Sequence, residues 1–169
     1  MPKLSFSKAA LAEIKELCSH YPDSRSAVMG VLYIAQNEFG WMKKEVMDLV
    51  AETLKIPVFQ VWEVVSFYTL YHRQPVGKFH LQVCNNISCT LRGSQSLVDA
   101  IRNKYQISNG ETSKNGLFTV TEVECLGSCG TAPVIQINED YYENMDVKKL
   151  EEFFKKVELE VAVKAGARK

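Results

Sequence analysis

No stretch of this 169-residue chain stays apolar for the roughly 20 residues that a membrane-spanning helix needs. Neither charge dominates: Lys and Arg number 20, and so do Asp and Glu. With a pI near 6.8, nothing calls for nucleic acid or an anionic membrane surface. The N-terminal run MPKLSFSKAALAEIKELC contains Glu13 and Glu16. It lacks the continuous apolar core and small-residue cleavage site of a secretory signal. The expected location is cytoplasmic, with any place on the inner face of the membrane reached through partner subunits. There is no G-x-G-x-x-G, no phosphate-binding glycine loop and no flavin fingerprint. C-x-x-C is absent, so a dithiol oxidoreductase lacks its motif. No repeat or low-complexity segment is found.

What is present is a globular balance, 46% apolar and 24% charged, enough for one ordinary domain or two small ones. The first 70 or so residues read as helices. Phe6, Ala10, Ile14, Leu17, Cys18 and Tyr21 make one stripe at helical spacing. A second helix is expected from about Ser26 to Gln36, followed by a turn at 37–40. Val46, Leu49, Val50 and Leu54 mark a third, and Val61, Val64, Val65 and Tyr68 a fourth, with Pro57 in its first turn. After 72–77 the pattern changes. Strands are expected at 79–83, 118–123, 134–137 and 141–143, with one helix from about Thr90 between the first two and another from about Asp146. From residue 158 the chain reads as a frayed tail.

Five cysteines are present. Cys84 and Cys89 form C-x4-C; Cys125 and Cys129 form C-x3-C. Each pair follows a predicted strand, so two neighbouring strand ends can bring four thiolates to one point. Structural zinc prefers gaps of two to four residues, which fits one pair and leaves the other at the edge. A four-thiolate iron–sulfur cluster accepts wider loops because bridging sulfides spread the ligands. Spacing alone leaves the cluster evenly weighed against buried or zinc-bound thiols. Loop composition tips the balance toward a cluster. Gly127 and Gly130 bracket Cys129 and either aim N–H groups at sulfur or simply turn the chain. A helix N-terminus expected after Cys89 favours negative charge. Arg92 is the nearest cation, and sparse positive charge keeps a cluster's potential low. Cys18 reads as a core thiol. His20, His72 and His80 read as structural or surface groups, since none falls within a cysteine pair.

At these residues the sequence resembles the 24-kilodalton-type subunit of respiratory NADH dehydrogenase (complex I), a thioredoxin-like [2Fe–2S] ferredoxin family. That family includes the matching subunits of NAD-linked hydrogenases and formate dehydrogenases. The resemblance rests on Val65-Ser66-Phe67-Tyr68, on PVGKFHLQVCNNISC from Pro75 to Cys89, and on Arg92-Gly93-Ser94. It continues through Glu124-Cys125-Leu126-Gly127-Ser128-Cys129, Ala132-Pro133-Val134 and Tyr141-Tyr142-Glu143-Asn144. The resemblance implies an α+β chain: a helical bundle over 1–74, a thioredoxin-like α/β [2Fe–2S] domain over 75–157, and a flexible tail over 158–169. It implies Cys84, Cys89, Cys125 and Cys129 as ligands of one [2Fe–2S] cluster. It also implies a partner flavoprotein that binds FMN and NADH and holds its own [4Fe–4S] cluster, within a larger respiratory or hydrogenase complex. The chain is then an electron carrier, incomplete as an enzyme alone, and its helical half is expected to supply much of the docking face. Pro133 is expected to follow a cis peptide, as in thioredoxin-like folds. A zinc-stabilised interaction module and a stand-alone shuttle ferredoxin are the other classes.

Overall fold

The computed structural model describes residues 4–166. The chain divides into two compact units, Met1–Val76 and Gly77–Lys169.

The first unit is helical: α1 (Lys8–Ser19), α2 (Val28–Phe39), α3 (Lys44–Leu54) and α4 (Val58–Phe67). Ser7 caps α1 by accepting the Ala10 N–H at 3.2 Å. Asp23 caps a 3-10 turn over Ser24–Ala27, so α2 itself starts later than the spacing suggests. The turn expected at 37–40 shrinks to Gly40: residues 37–39 stay helical, and Gly40 (φ 84°) stops the chain. Lys55, left-handed at φ 56°, ends α3, and Pro57 precedes the first residue of α4. Val31, Leu32, Ala35, Val46, Val50 and Val61 are fully buried at the centre. The Tyr71 hydroxyl donates to the Met29 carbonyl at 2.8 Å, and burial pushes its pKa up to about 12.

The second unit runs β1 (Phe79–Cys84), α5 (Ile87–Leu91), α6 (Ser94–Tyr105), β2 (Phe118–Val123), β3 (Ile135–Ile137), β4 (Asp140–Tyr142) and α7 (Val147–Gly166). The sheet order is β2-β1-β3-β4. β1 and β2 are parallel, which requires a crossover and explains the helices between them. The remaining pairs are antiparallel, with Asn138 (φ 55°) in the tight β3–β4 turn. Strand alternation sends Leu81, Val83, Phe118, Val120, Ile135 and Ile137 to one face. There they meet Leu97, Val98 and Ile101 of α6 and Leu150 and Phe154 of α7. The Phe118 ring lies 4.6 Å from that of Tyr105 and 5.2 Å from that of Phe154. His80, Gln82, Cys84, Thr119 and Thr121 fall on the opposite face, where the His80 and Thr121 side chains meet at 2.8 Å. The fold is therefore mixed α and β, with a four-stranded sheet.

Two expectations change. The single helix from about Thr90 is two helices, broken at Gly93 with φ 93°. The chain beyond 157 does not fray at once, because α7 continues to Gly166. Glu158 accepts the Tyr105 hydroxyl at 2.8 Å, Lys104 lies within 3.3 Å of its carboxylate, and Val161 packs against the core. Residues 167–169 of the expected tail lie outside the described residues. The Ala132–Pro133 peptide is cis.

Candidate metal centre

Parallel pairing places the C-terminal ends of β1 and β2 on one rim, where Cys84 stands in register with Val123. The rim is stitched by backbone: Asn85 N–H donates to the Val123 carbonyl at 3.0 Å, and Cys84 N–H donates to the Val134 carbonyl at 3.2 Å. The Cys84 Sγ approaches the Glu124 carbonyl at 3.9 Å, which brings it beside the start of the second cysteine loop.

The first loop turns back at once. Asn86 Oδ1 accepts the Ile87 N–H at 2.8 Å and starts α5. The Thr90 hydroxyl donates to the Asn85 carbonyl at 2.8 Å and closes the turn. Cys89 therefore sits in the first turn of α5. The N-terminus of α5 lies before Cys89, and that of α6, at Ser94, comes after it, so the helix start expected after Cys89 falls at α6. Cys84 and Cys89 are each only 3% exposed and form a small buried cluster with Ala132, against which Leu126 packs. Burial pushes the Cys89 thiol up; the Val134 backbone opposes this, and the Cys84 side chain and the charges of Cys84 and Cys129 reinforce it. Cys84 and Cys129 thus both lie near enough to Cys89 to act on it.

The second loop is different. Cys125 and Cys129 are both exposed. Gly127, at φ 73°, donates its N–H to the Cys125 Sγ at 3.3 Å. Both readings of that glycine hold together: the left-handed turn is what aims the amide at sulfur. Gly130 lacks a positive φ, and an added Cβ would meet nothing within 4 Å. Outside contacts hold this loop. Glu143 Oε1 accepts from the hydroxyls of Ser128 at 2.5 Å and Thr131 at 2.7 Å, and these two hydroxyls hold its carboxyl below the usual range. The Tyr141 hydroxyl donates to the Leu126 carbonyl at 2.9 Å.

None of the five cysteines is in a disulfide. Cys18 lies on α1 in the first unit, against the helical core. Cys84 and Cys129 both act on Cys89, and Cys125 follows the end of β2 on the same rim with its sulfur on the Gly127 amide. Among the described residues, no three His, Cys, Asp or Glu side chains form a ready-made single-ion site. Arg92 is exposed at the end of α5. Thr131 was not named from the sequence, and Ser128 and Glu143 stood there only as parts of motifs, since no spacing rule links the three. The donor set itself, thiols with an amide directed at sulfur, suits an iron–sulfur cluster.

A mixed sheet that packs its helices on one apolar face and bears a cysteine rim has the plan of a thioredoxin-like domain. The chain belongs to the thioredoxin-like [2Fe–2S] ferredoxin family, whose model matches residues 14–158. Over 158 residues it is 42% identical to the E 2 subunit of NADH-quinone oxidoreductase from Rhizobium meliloti (strain 1021), covering 92% of this chain and 94% of that one. Over 150 residues it is 39% identical to the E subunit of the same oxidoreductase from Rickettsia prowazekii (strain Madrid E), covering 87% and 85%. Among solved structures it resembles an NAD+-reducing [NiFe]-hydrogenase in the air-oxidized state, with a TM-score of 0.70 at 15% identity. That likeness is one of fold; it covers 79% of this chain but 23% of the hydrogenase chain.

Proposed function

We propose that this chain is the electron-carrying subunit of an NADH:quinone oxidoreductase, holding one [2Fe–2S] cluster on Cys84, Cys89, Cys125 and Cys129. The observation that carries this reading is the shared rim. Two neighbouring strand ends start the two cysteine loops from one rim, in a chain that matches NADH-quinone oxidoreductase relatives over most of its length. When bound, the cluster supplies a one-electron couple. The chain's own residues provide the rest. Cys84 and Cys89 give a shielded pair of thiols, and Gly127 offers a donor to sulfur.

The electron partner in this reading is an NADH-binding flavoprotein that holds FMN, since hydride arrives as two electrons and the chain takes them singly. Its docking face includes α4, which leaves Phe59, Trp62 and Phe67 exposed. No described helix is long and apolar enough to cross a membrane; in this reading any place at the inner face of the membrane is reached through partner subunits.

Anaerobic co-expression with such a flavoprotein tests this. The expected product is a red-brown complex with two irons and two sulfides per chain and an EPR signal on reduction. Replacing any one of the four cysteines with Ser should bleach that signal or change it. A colourless zinc protein, or a chain that purifies alone beside an intact flavoprotein, would overturn the reading.

A further inference from the structure

The exposed cysteine loop is held almost wholly by one short stretch of chain, residues 141–145. The Tyr141 hydroxyl donates to the Leu126 carbonyl. Glu143 accepts from the hydroxyls of Ser128 and Thr131, which themselves lie 2.6 Å apart. Asn144 N–H donates to the Thr131 carbonyl at 2.7 Å, and Met145 N–H donates to the Pro133 carbonyl at 2.9 Å. Only the Glu143 contacts involve a charged group, and one carboxylate oxygen gathers both hydroxyls. Ser128 directly precedes Cys129, and Thr131 closes the 3-10 turn that begins at Cys129.

We infer that Glu143 is a positioning residue for the cluster: by binding Ser128 and Thr131 it fixes the Cys129 turn in the shape that presents its sulfur to the rim. Charge-assisted bonds are the stronger kind, and here they do for the exposed turn what burial does for Cys84 and Cys89. The inference rests on Cys129 being a ligand. Glu143 touches no cysteine, so it acts through the turn and is not itself a ligand.

Glu143→Gln keeps an acceptor oxygen and removes the charge; Glu143→Ala removes both. In the full chain without cluster, Glu143→Ala should speed amide hydrogen exchange at 127–131 about fivefold, and Glu143→Gln should stay within about twofold of the parent. After reconstitution, the half-life of the visible cluster band under a chelator should follow the same order. Thr131→Val, which removes one hydroxyl from the loop side, should fall between them and serves if Glu143→Ala does not fold. Parent-like exchange and half-life in both Glu143→Ala and Thr131→Val would overturn the inference. If the parent chain takes up no iron while Glu143→Ala still loosens the turn, the clamp stands and the cluster reading falls.

Discussion

The two cysteine loops leave the same rim of the sheet but are held in opposite ways. Cys84 and Cys89 are buried with Ala132, and their loop is the short link between a central strand and a helix. Cys125 and Cys129 are exposed, and polar bonds reaching back from β4 and the residues after it hold their loop. Apolar packing resists exchange with water, whereas an exposed hydrogen bond competes with it continually. One half of the site is therefore set by the core, and the other by a few named side chains.

The largest way to break that contrast is to damage what both loops hang from. Phe118 is fully buried, and its ring meets those of Phe79, Tyr105 and Phe154. Phe118→Ala should cost about 3–5 kcal/mol of stability. Urea melts should show it, and hydrogen exchange should speed in both loops together. Protection lost in only one loop would mean the loops do not share this core.

A smaller change sharpens the contrast. Thr90→Val removes the hydroxyl that closes the first turn on the Asn85 carbonyl. It should cost about 0.5–1.5 kcal/mol. Amides at 85–90 should exchange faster while those at 127–131 keep their parent rates. Burial of Cys84 and Cys89 should keep the loss below that in the second loop when Glu143 is removed.

The smallest effect should miss both loops. Burial lowers the pKa of His72, in the helical unit, below the ordinary 6.5. The folded state then favours neutral imidazole, and below about pH 6.5 the unfolded chain binds the extra proton. The stability this gives is present above that pH and is lost as pH falls through the lowered folded value. Melting temperatures between pH 7.5 and 5, as an assay range, should fall less steeply in His72→Gln. An unchanged slope would remove the role.

Local pattern carried much of this in advance. Alternation marked β1 and β2 because each has one face in the core, and both cysteine pairs could be placed at strand ends for the same reason. The break at Gly93 went unread because a lone glycine is tolerated inside a helical pattern, whereas here its backbone turns left-handed at φ 93°. The helical stretch after 157 was missed because what holds it is distant in sequence: Lys104 and Tyr105 meeting Glu158. Glu143 was hidden similarly, as a carboxylate whose partners lie across a loop and two strands.

Because β1 and β2 run in the same direction, the path from Cys89 to Cys125 must travel to the far rim and return. Residues 106–117 make the turn-round there, and Lys114 is exposed in it. Distance along the chain and distance in space are thereby uncoupled. A fluorophore on Lys114, or a short affinity handle inserted beside it, lengthens or labels that detour without displacing either sulfur pair. The sheet unit can thus be watched or tethered from the rim opposite to its cysteines.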